Sequence, residues 1–297
     1  MRSVLGCLLL FGLCSARAYP QGLRLSVRLN DSVYFEGEPV YLLAELRNQS
    51  SDTIWTSPPG FAFGTLRGTL EMDGQAVPEY PITADYLAAA GERGTPLGPG
   101  ESMYETHILL ARWGYRGPLT ESLFLRNLPP GAYVFSVAFV PDAWVKDAAL
   151  HASSEPLRFR VRGREADEER LYRMAGELGA VAWDRARRDG FVQQLIVRSR
   201  ARLAIDSADP FVPFFLKAGV EIARGLGLRL SDADTRDLIG LQLAVARQHR
   251  TSSVGALLTD AEPLRSSSSG MDQILSLDDG GLLRSVAAAR GRGRTVK

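Results

Sequence analysis

Apolar and polar positions alternate strictly in several short stretches of the first half of the chain. Leu23, Leu25, Val27 and Leu29 are interleaved with Arg24, Ser26 and Arg28. Val40, Leu42, Ala44 and Leu46 alternate with a set that ends in Glu45 and Arg47. Tyr133, Phe135, Val137 and Phe139 repeat the period, and Leu157, Phe159 and Val161 do so against Arg158, Arg160 and Arg162. A period of two with one polar face predicts antiparallel strands packed on one side. Weaker runs lie at Ile54–Thr56, Thr65–Met72, Ala76–Tyr80 and Ser102–Leu110. Asp73-Gly74 predicts a hairpin turn, and Glu36-Gly37-Glu38-Pro39 and Leu128-Pro129-Pro130-Gly131 predict further turns. About seven or eight short strands between such turns predict a β-sandwich.

Near residue 163 the period becomes helical. Leu171, Met174, Ala175, Leu178 and Ala182 mark one apolar face; Val192, Leu195, Ile196, Ser199 and Leu203 mark a second. Phe211, Phe214, Phe215, Ala218 and Ile222 mark a third, and Leu238, Ile239, Leu241 and Val245 a fourth. Spacings of three, four and seven place each set on one side of a helix. Asp209-Pro210 suits the start of the third helix, although Pro213 points to a start a few residues later; Ser231-Asp232 and Asp234 cap the fourth. Short links favour antiparallel hairpins. From Thr251 the pattern decays into the serine run Ser266–Ser269 and the terminal Arg290-Gly291-Arg292-Gly293-Arg294. Residues 251–297 therefore read as a mobile tail, with a short helix at Leu282–Ala289.

The expected fold class is an immunoglobulin-like antiparallel β-sandwich over residues 22–162, followed by a small four-helix region over residues 165–250. Particular residues carry the immunoglobulin likeness. Gly37-Glu38-Pro39-Val40, leading to Arg47-Asn48, resembles the start of many bacterial secreted immunoglobulin-like domains. Leu97-Gly98-Pro99-Gly100-Glu101-Ser102 and Leu128-Pro129-Pro130-Gly131-Ala132-Tyr133 resemble their later strands, as seen in proteinase-inhibitor-like and carboxypeptidase-regulatory-like sandwiches. The resemblance implies a fold rather than a function, since such sandwiches host many roles. The region is about 140 residues long, against ~100 for a minimal immunoglobulin domain. The surplus sits in Ser57–Gly64, Ile82–Gly100 and Ala111–Arg126. The second and third helices are similar to a tetratricopeptide-type hairpin, without a second copy of the motif.

The first eighteen residues set the expected location. Arg2, the apolar Leu8–Leu13 and Ala16-Arg17-Ala18 form the three parts of a secretory signal peptide, with cleavage expected between Ala18 and Tyr19. The apolar run is shorter than the roughly 20 residues a spanning helix needs. Leu13 is too bulky for a lipidation box at Cys14, and too little apolar chain precedes Cys7. Both cysteines lie in this leader, so the mature chain holds no disulfide, thiolate metal site or cysteine nucleophile. A secreted or periplasmic protein without a transmembrane span after cleavage is the expectation. Lys146, Lys217 and Lys297 are the only lysines among 35 basic residues, a bias that resembles high-GC bacterial genomes. A formal net charge of +1 argues against a dedicated nucleic-acid binder.

Motifs with specific chemistry are sparse. His107 is expected to face solvent, His151 to sit in a loop, and His249 to end the fourth helix, where a cation suits the dipole. No pair has metal-ligand spacing, and no HExxH, Gly-x-Ser-x-Gly or Ser-x-x-Lys occurs after the leader. Gly225-Leu226-Gly227 reads as a helix terminator. Asp206, Asp209, Asp232, Asp234 and Asp237 read as helix caps rather than cation ligands. No cofactor, metal or catalytic residue is assigned. The arginines of the Arg-Gly terminus read as part of a solvated tail rather than an anionic-surface patch.

The candidate partner-binding residues are Trp113, Tyr115 and Phe124, in the surplus segment Ala111–Arg126. Trp55, Phe61 and Phe63 form a similar set. Aromatics on exposed loops bind partners; the alternative is that they cap the ends of the sandwich. The expected function is that of an exported non-catalytic binding or scaffold protein of the bacterial envelope, engaging a protein or an envelope glycan. The alternative is a secreted proteinase inhibitor presenting Ile82–Gly100, and an enzyme of unknown class stands third. Oligomeric state is not legible.

Overall fold

Alternating stretches that bury one face in the sequence pair edge to edge in the computed structural model. It describes residues 22–260 apart from 62–63, 81–93, 119–124, 144, 184–189, 226–227, 229 and 250–251, with scattered positions beyond 260. The expected leader with Ala18 and Tyr19, Phe63, Phe124, most of Ile82–Gly100 and most of the expected tail lie outside the described residues.

The strands form several sheets. β1 (Leu23–Leu29), β3 (Tyr41–Asn48) and β8 (Ser102–Ile108) make a three-stranded antiparallel sheet with β3 in the middle. β2 (Val33–Phe35), β11 (Leu157–Arg162), β9 (Gly131–Phe139), β5 (Leu66–Met72) and β6 (Gln75–Ala76) lie side by side in that order, and β10 (Ala152–Ser153) also pairs with β9. β4 (Ile54–Thr56) and β7 (Thr95–Leu97) form a third pair. One pairing departs from the antiparallel expectation: β2 runs parallel to β11, with Arg160 opposite Val33. A stretch of three residues is too short to show a period, so nothing in the sequence announced β2.

Local chemistry explains the turns. Asp73 and Gly74 both have positive φ, 51° and 80°, the twist that a two-residue hairpin needs between Met72 and Gln75. Gly37 has φ 83°, and a Cβ there would come within 2.5 Å of the Tyr172 ring. That glycine lets a turn of the β region close on the first helix.

Among the described residues there are five helices: α1 (Ala166–Trp183), α2 (Phe191–Ile205), α3 (Phe211–Gly225), α4 (Asp232–His249) and α5 (Ser252–Asp260). α3 starts at Phe211, so Pro213 sits in its first turn, where a missing N–H removes no helical bond. Ser231 Oγ accepts from Asp234 N at 3.1 Å and so caps α4. α5 corrects the expected tail, which was placed from residue 251 onward. Val254, Ala256, Leu257 and Leu258 are buried, and Ser253 Oγ donates to the Arg28 carbonyl at 3.3 Å. Nine residues with a serine start hold too few polar positions to show amphipathicity; contact with β3 and β8 buries them.

Strands end at Arg162 and helices begin at Ala166, yet the apolar core runs through both regions without a break. Phe35 of β2 meets Phe211 of α3 at 6.1 Å between ring centroids. Tyr41 of β3 donates its hydroxyl to the Pro210 carbonyl at 2.5 Å and accepts from Phe214 N at 2.9 Å. β3 is buried on both faces for this reason: Leu42, Ala44 and Leu46 point one way, and Tyr41 and Leu43 the other.

Candidate functional site

The segment that carries Trp113 and Tyr115 is held by two isolated bridges, Glu79 with Trp113 and Tyr115 with Asn127. Tyr80 N donates to the Arg112 carbonyl and Gly114 N to the Pro78 carbonyl, at 2.8 and 3.1 Å. Residues 77–80, 112–115 and 126–127 therefore form one small pleated surface. A regular strand would place Trp113 and Tyr115 on one side, but Gly114 between them has φ 126° and breaks the alternation, so the two rings end in different surroundings.

Trp113 points inward and is 2% exposed, which corrects its expectation as an exposed anchor. Its ring stands edge-on to Phe61 at 5.0 Å and to Phe135 at 5.1 Å. Gly68 of β5 makes room, since a Cβ there would meet both Trp113 and Phe135 at 2.9 Å. Phe61 is buried too, while Trp55 is half-buried and its backbone N–H donates to Asp147 Oδ2 at 2.7 Å. Tyr115 stays at the surface, 37% exposed, and Tyr80, which the sequence reading did not single out, is 38% exposed. Arg126 lies over the Tyr80 ring at 3.7 Å. Arg112 lies over Phe61 and Trp113, donating to the Phe61 carbonyl at 2.7 Å and to Glu79 at 2.6 Å.

His107 corrects the sequence reading. Its ring sits 4.6 Å from Phe61, and Nε2 is buried without a hydrogen-bond partner among the described residues. Burial, with the Arg112 charge adding to it, pushes its pKa down to about 3, so the ring is neutral at pH 7. Register by twos put this side chain on the polar face, but the loop carrying Phe61 covers that face. His249 is likewise lowered by burial, against a hydrogen bond to the Asp209 backbone, so it is not the dipole-stabilising cation expected at the end of α4. His151 is exposed.

The second polar cluster lies between the sheets and the helices. Arg202 of α2 and Asp209 before α3 are 1% and 0% exposed. Arg202 Nε lies 2.7 Å from Asp209 Oδ2, Nη2 donates to Oδ1 at 3.0 Å, and Nη1 donates to the Leu171 carbonyl at 2.9 Å. Asp209 Oδ1 also accepts from Phe211 N at 2.9 Å and so caps α3. Burial pushes the Asp209 carboxyl up against the pull of Arg202. A signal for Arg202 existed: it lies three residues after Ser199 and seven after Leu195, on the apolar face of α2. The remaining aspartates act structurally: Asp206 accepts from Ala208 N, and Asp237 pairs with Arg200 at 2.8 Å. Among the described residues, no group of three or more His, Cys, Asp or Glu side chains is placed to hold a metal.

Glu38 is the third perturbed group. Its Oε2 accepts from Phe35 N at 2.9 Å inside the turn beside β2. Burial pushes its pKa up to about 8, aided by the charges of Asp31 and Glu168 and opposed by Arg162. The unfolded carboxyl ionises near 4.5, so its contribution to stability is complete below that value and is lost as pH rises through about 8. Glu38→Gln is therefore expected to raise the melting temperature above wild type at about pH 9 and to leave it nearly unchanged at about pH 4.5. Thermal melts across that range check it; equal melting temperatures at both ends show that Glu38 is ionised in the fold.

No protein-family profile and no curated protein sequence matches the chain. Among solved structures it is similar to the sporulation control protein Spo0M from Bacillus subtilis, at 13% identity and TM-score 0.26, over 53% of this chain and 56% of that one. It is also similar to a mutant Salmonella alpha-2-macroglobulin, at 9% identity and TM-score 0.28, over 91% of this chain and 22% of that one. The chain thus spans about half of the first and under a quarter of the second. Likenesses this distant carry no argument about function, and the described fold stands as several antiparallel sheets with helices packed on them. Among the described residues no helix is long and apolar enough to cross a membrane.

Proposed function

We propose that this is an exported, non-catalytic binding protein of the bacterial envelope, built as an immunoglobulin-like sandwich with a helical region against it. Its partner is a protein or an envelope glycan. One observation carries the reading: Tyr80 and Tyr115 are exposed on a surface that Trp113 pins to the core from beneath, with Arg126 stacked on Tyr80. Tyrosine and arginine supply most of the energy at binding surfaces, because a rigid amphipathic ring loses little entropy on contact. The same rings suit stacking on a sugar. In this reading Tyr115 keeps the role expected of it, Tyr80 and Arg126 join it, and Trp113 positions them.

The test pairs Tyr80→Ala with Tyr115→Ala in the full chain. The expected loss of stability is under about 0.5 kcal/mol, because both rings are at the surface. Retention of envelope protein or glycan on the immobilised chain should weaken by ~2 kcal/mol, roughly 30-fold. Unchanged retention overturns the assignment of this surface. Inhibition of a serine protease by the intact chain, lost on cutting within Ile82–Gly100, replaces it with the inhibitor reading.

A further inference from the structure

β9 lies in the middle of its sheet, with a strand paired to each of its edges. β5 takes one edge, from Leu66 with Phe139 to Met72 with Tyr133. β11 and β10 take the other, from Leu157 with Phe135 to Val161 with Gly131 and at Ala152 with Phe139. Tyr133, Phe135, Val137 and Phe139 are buried in the core, so Ala132, Val134, Ser136 and Ala138 point out. Arg67, Thr69 and Glu71 of β5 and Arg158 and Arg160 of β11 share that outer face, and all but the half-buried neighbours of β9 are fully exposed: Arg67, Thr69, Glu71, Arg158 and Arg160. The register sets Glu71 and Arg158 on either side of Val134, Arg160 beside Ala132 and Arg67 beside Ala138.

The outer face is therefore a trough, with small side chains on its floor and long ones in its walls. Strand spacing makes it about 10 Å wide between β5 and β11, and about 20 Å long from Ala132 to Ala138. Glu71 and Arg158 carry opposite charges across this floor. Among the described residues neither has an ion-pair or hydrogen-bond partner at its side chain, and nor do Arg67 and Arg160. Both walls thus hold free donors, five N–H groups on each guanidinium, and one wall holds a free acceptor. The floor adds the methyl groups of Ala132, Val134 and Ala138 and the hydroxyl of Ser136.

We propose that this trough binds a linear, uncharged glycan of N-acetylhexosamine units, about four sugars filling its length. Sugar hydroxyls both donate and accept, so they bond to the arginines and to Glu71 in the walls. The acetyl methyl groups settle on the Ala132, Val134 and Ala138 floor. An added peptide strand is not an option, because β5, β10 and β11 already pair with β9. A protein partner needs more surface: a standard interface covers about 800 Å² on each side, against about 200 Å² here. The outward residues of β5, β9 and β11 also include no aromatic anchor. A polyanion meets Glu71 in one wall. The trough shares no residue with the Tyr80 and Tyr115 surface, so either can fail without the other.

Calorimetric titration of the full chain with chitotetraose tests it. Saturable binding is expected with a Kd of about 1 mM or tighter. Chitobiose, which fills half of the trough, should bind about 10-fold more weakly, and cellotetraose, which lacks the acetamido groups, should also bind more weakly. Arg158→Ala and Glu71→Ala, both at exposed positions, should each weaken chitotetraose binding about 10-fold, the effect of losing a hydrogen bond to a charged group. Val134→Arg fills the floor and offers Glu71 a partner, so it should abolish binding; an unchanged melting temperature shows that the variant folds. Tyr115→Ala should leave binding as it is. Absence of saturable binding, equal affinity for chitobiose and chitotetraose, or full binding by Val134→Arg each overturns the proposal. Loss of binding in Tyr115→Ala overturns it by moving the sugar to the other surface, and tighter binding of tetragalacturonate overturns the uncharged ligand.

Discussion

Arg202→Met is expected to cost about 3–5 kcal/mol of stability, because it leaves the Asp209 carboxylate buried without its counter-charge. Asp209 is fully enclosed, and Arg202 supplies both its ion pair and one of its hydrogen bonds. The remaining donor, Phe211 N, is a single neutral group. Arg202 also spans to the Leu171 carbonyl of α1 and lies over Phe211 and Phe215, so its loss loosens three helices together. A second variant separates the charge effect from lost packing. Arg202→Met combined with Asp209→Asn keeps the acceptor that caps α3 and removes the buried charge, so most of the loss should return. The single variant should also lose its deficit as pH falls. Its Asp209 pKa lies above the unfolded value, so the protonated fold is favoured at low pH and the penalty grows as pH rises. Urea midpoints for the variants at two pH values measure all of this. A double variant no more stable than the single one shows that the guanidinium acts through packing alone.

Trp113→Ala should cost a similar ~3–5 kcal/mol, through the cavity left between Phe61 and Phe135. Tyr115→Ala, two residues away, should cost under about 0.5 kcal/mol. The contrast follows from burial: the Trp113 ring is enclosed, whereas the Tyr115 ring, beyond the positive-φ Gly114, stays at the surface. Gly68→Ala should be destabilising in the wild-type chain, since its Cβ has no room beside the Trp113 and Phe135 rings. In the Trp113→Ala background part of that cost should disappear, because one of the two colliding rings is gone. Equilibrium unfolding of the four variants completes the cycle. A loss under about 1 kcal/mol for Trp113→Ala would place that ring at the surface and restore it as a binding candidate.

These effects also mark where pattern reading reached its limit. Strands β1, β9 and β11 were legible because each buries one face, and burial on one side leaves a period of two; β3 showed that period only towards its end, at Glu45 and Arg47, because its first half is buried on both faces. The Asp73-Gly74 hairpin was legible because its backbone twist demands residues that tolerate positive φ. Four of the helices were legible through their apolar stripes, and Asp209 as a cap through its place before Phe211. By contrast, His107 was assigned to solvent and Trp113 was left between an exposed anchor and a cap on the core, and both rings pack against Phe61. Helix α5 was read as tail because its burial comes from β3 and β8, far away in sequence.

The sequence by itself determined which segments become strand or helix and where the chain turns, because those choices depend on side-chain period and on backbone preferences within a few residues. It also determined that no cysteine follows Cys14, and with that excluded thiol chemistry from residues 15–297. Only the tertiary structure decided which polar groups are dry, that Arg202 meets Asp209, that Glu38 holds its proton, and that Tyr80 and Tyr115 stay exposed while Trp113 is enclosed. Each of these depends on what a distant segment places against the residue, and desolvation, pairing and exposure are properties of that meeting rather than of either segment alone.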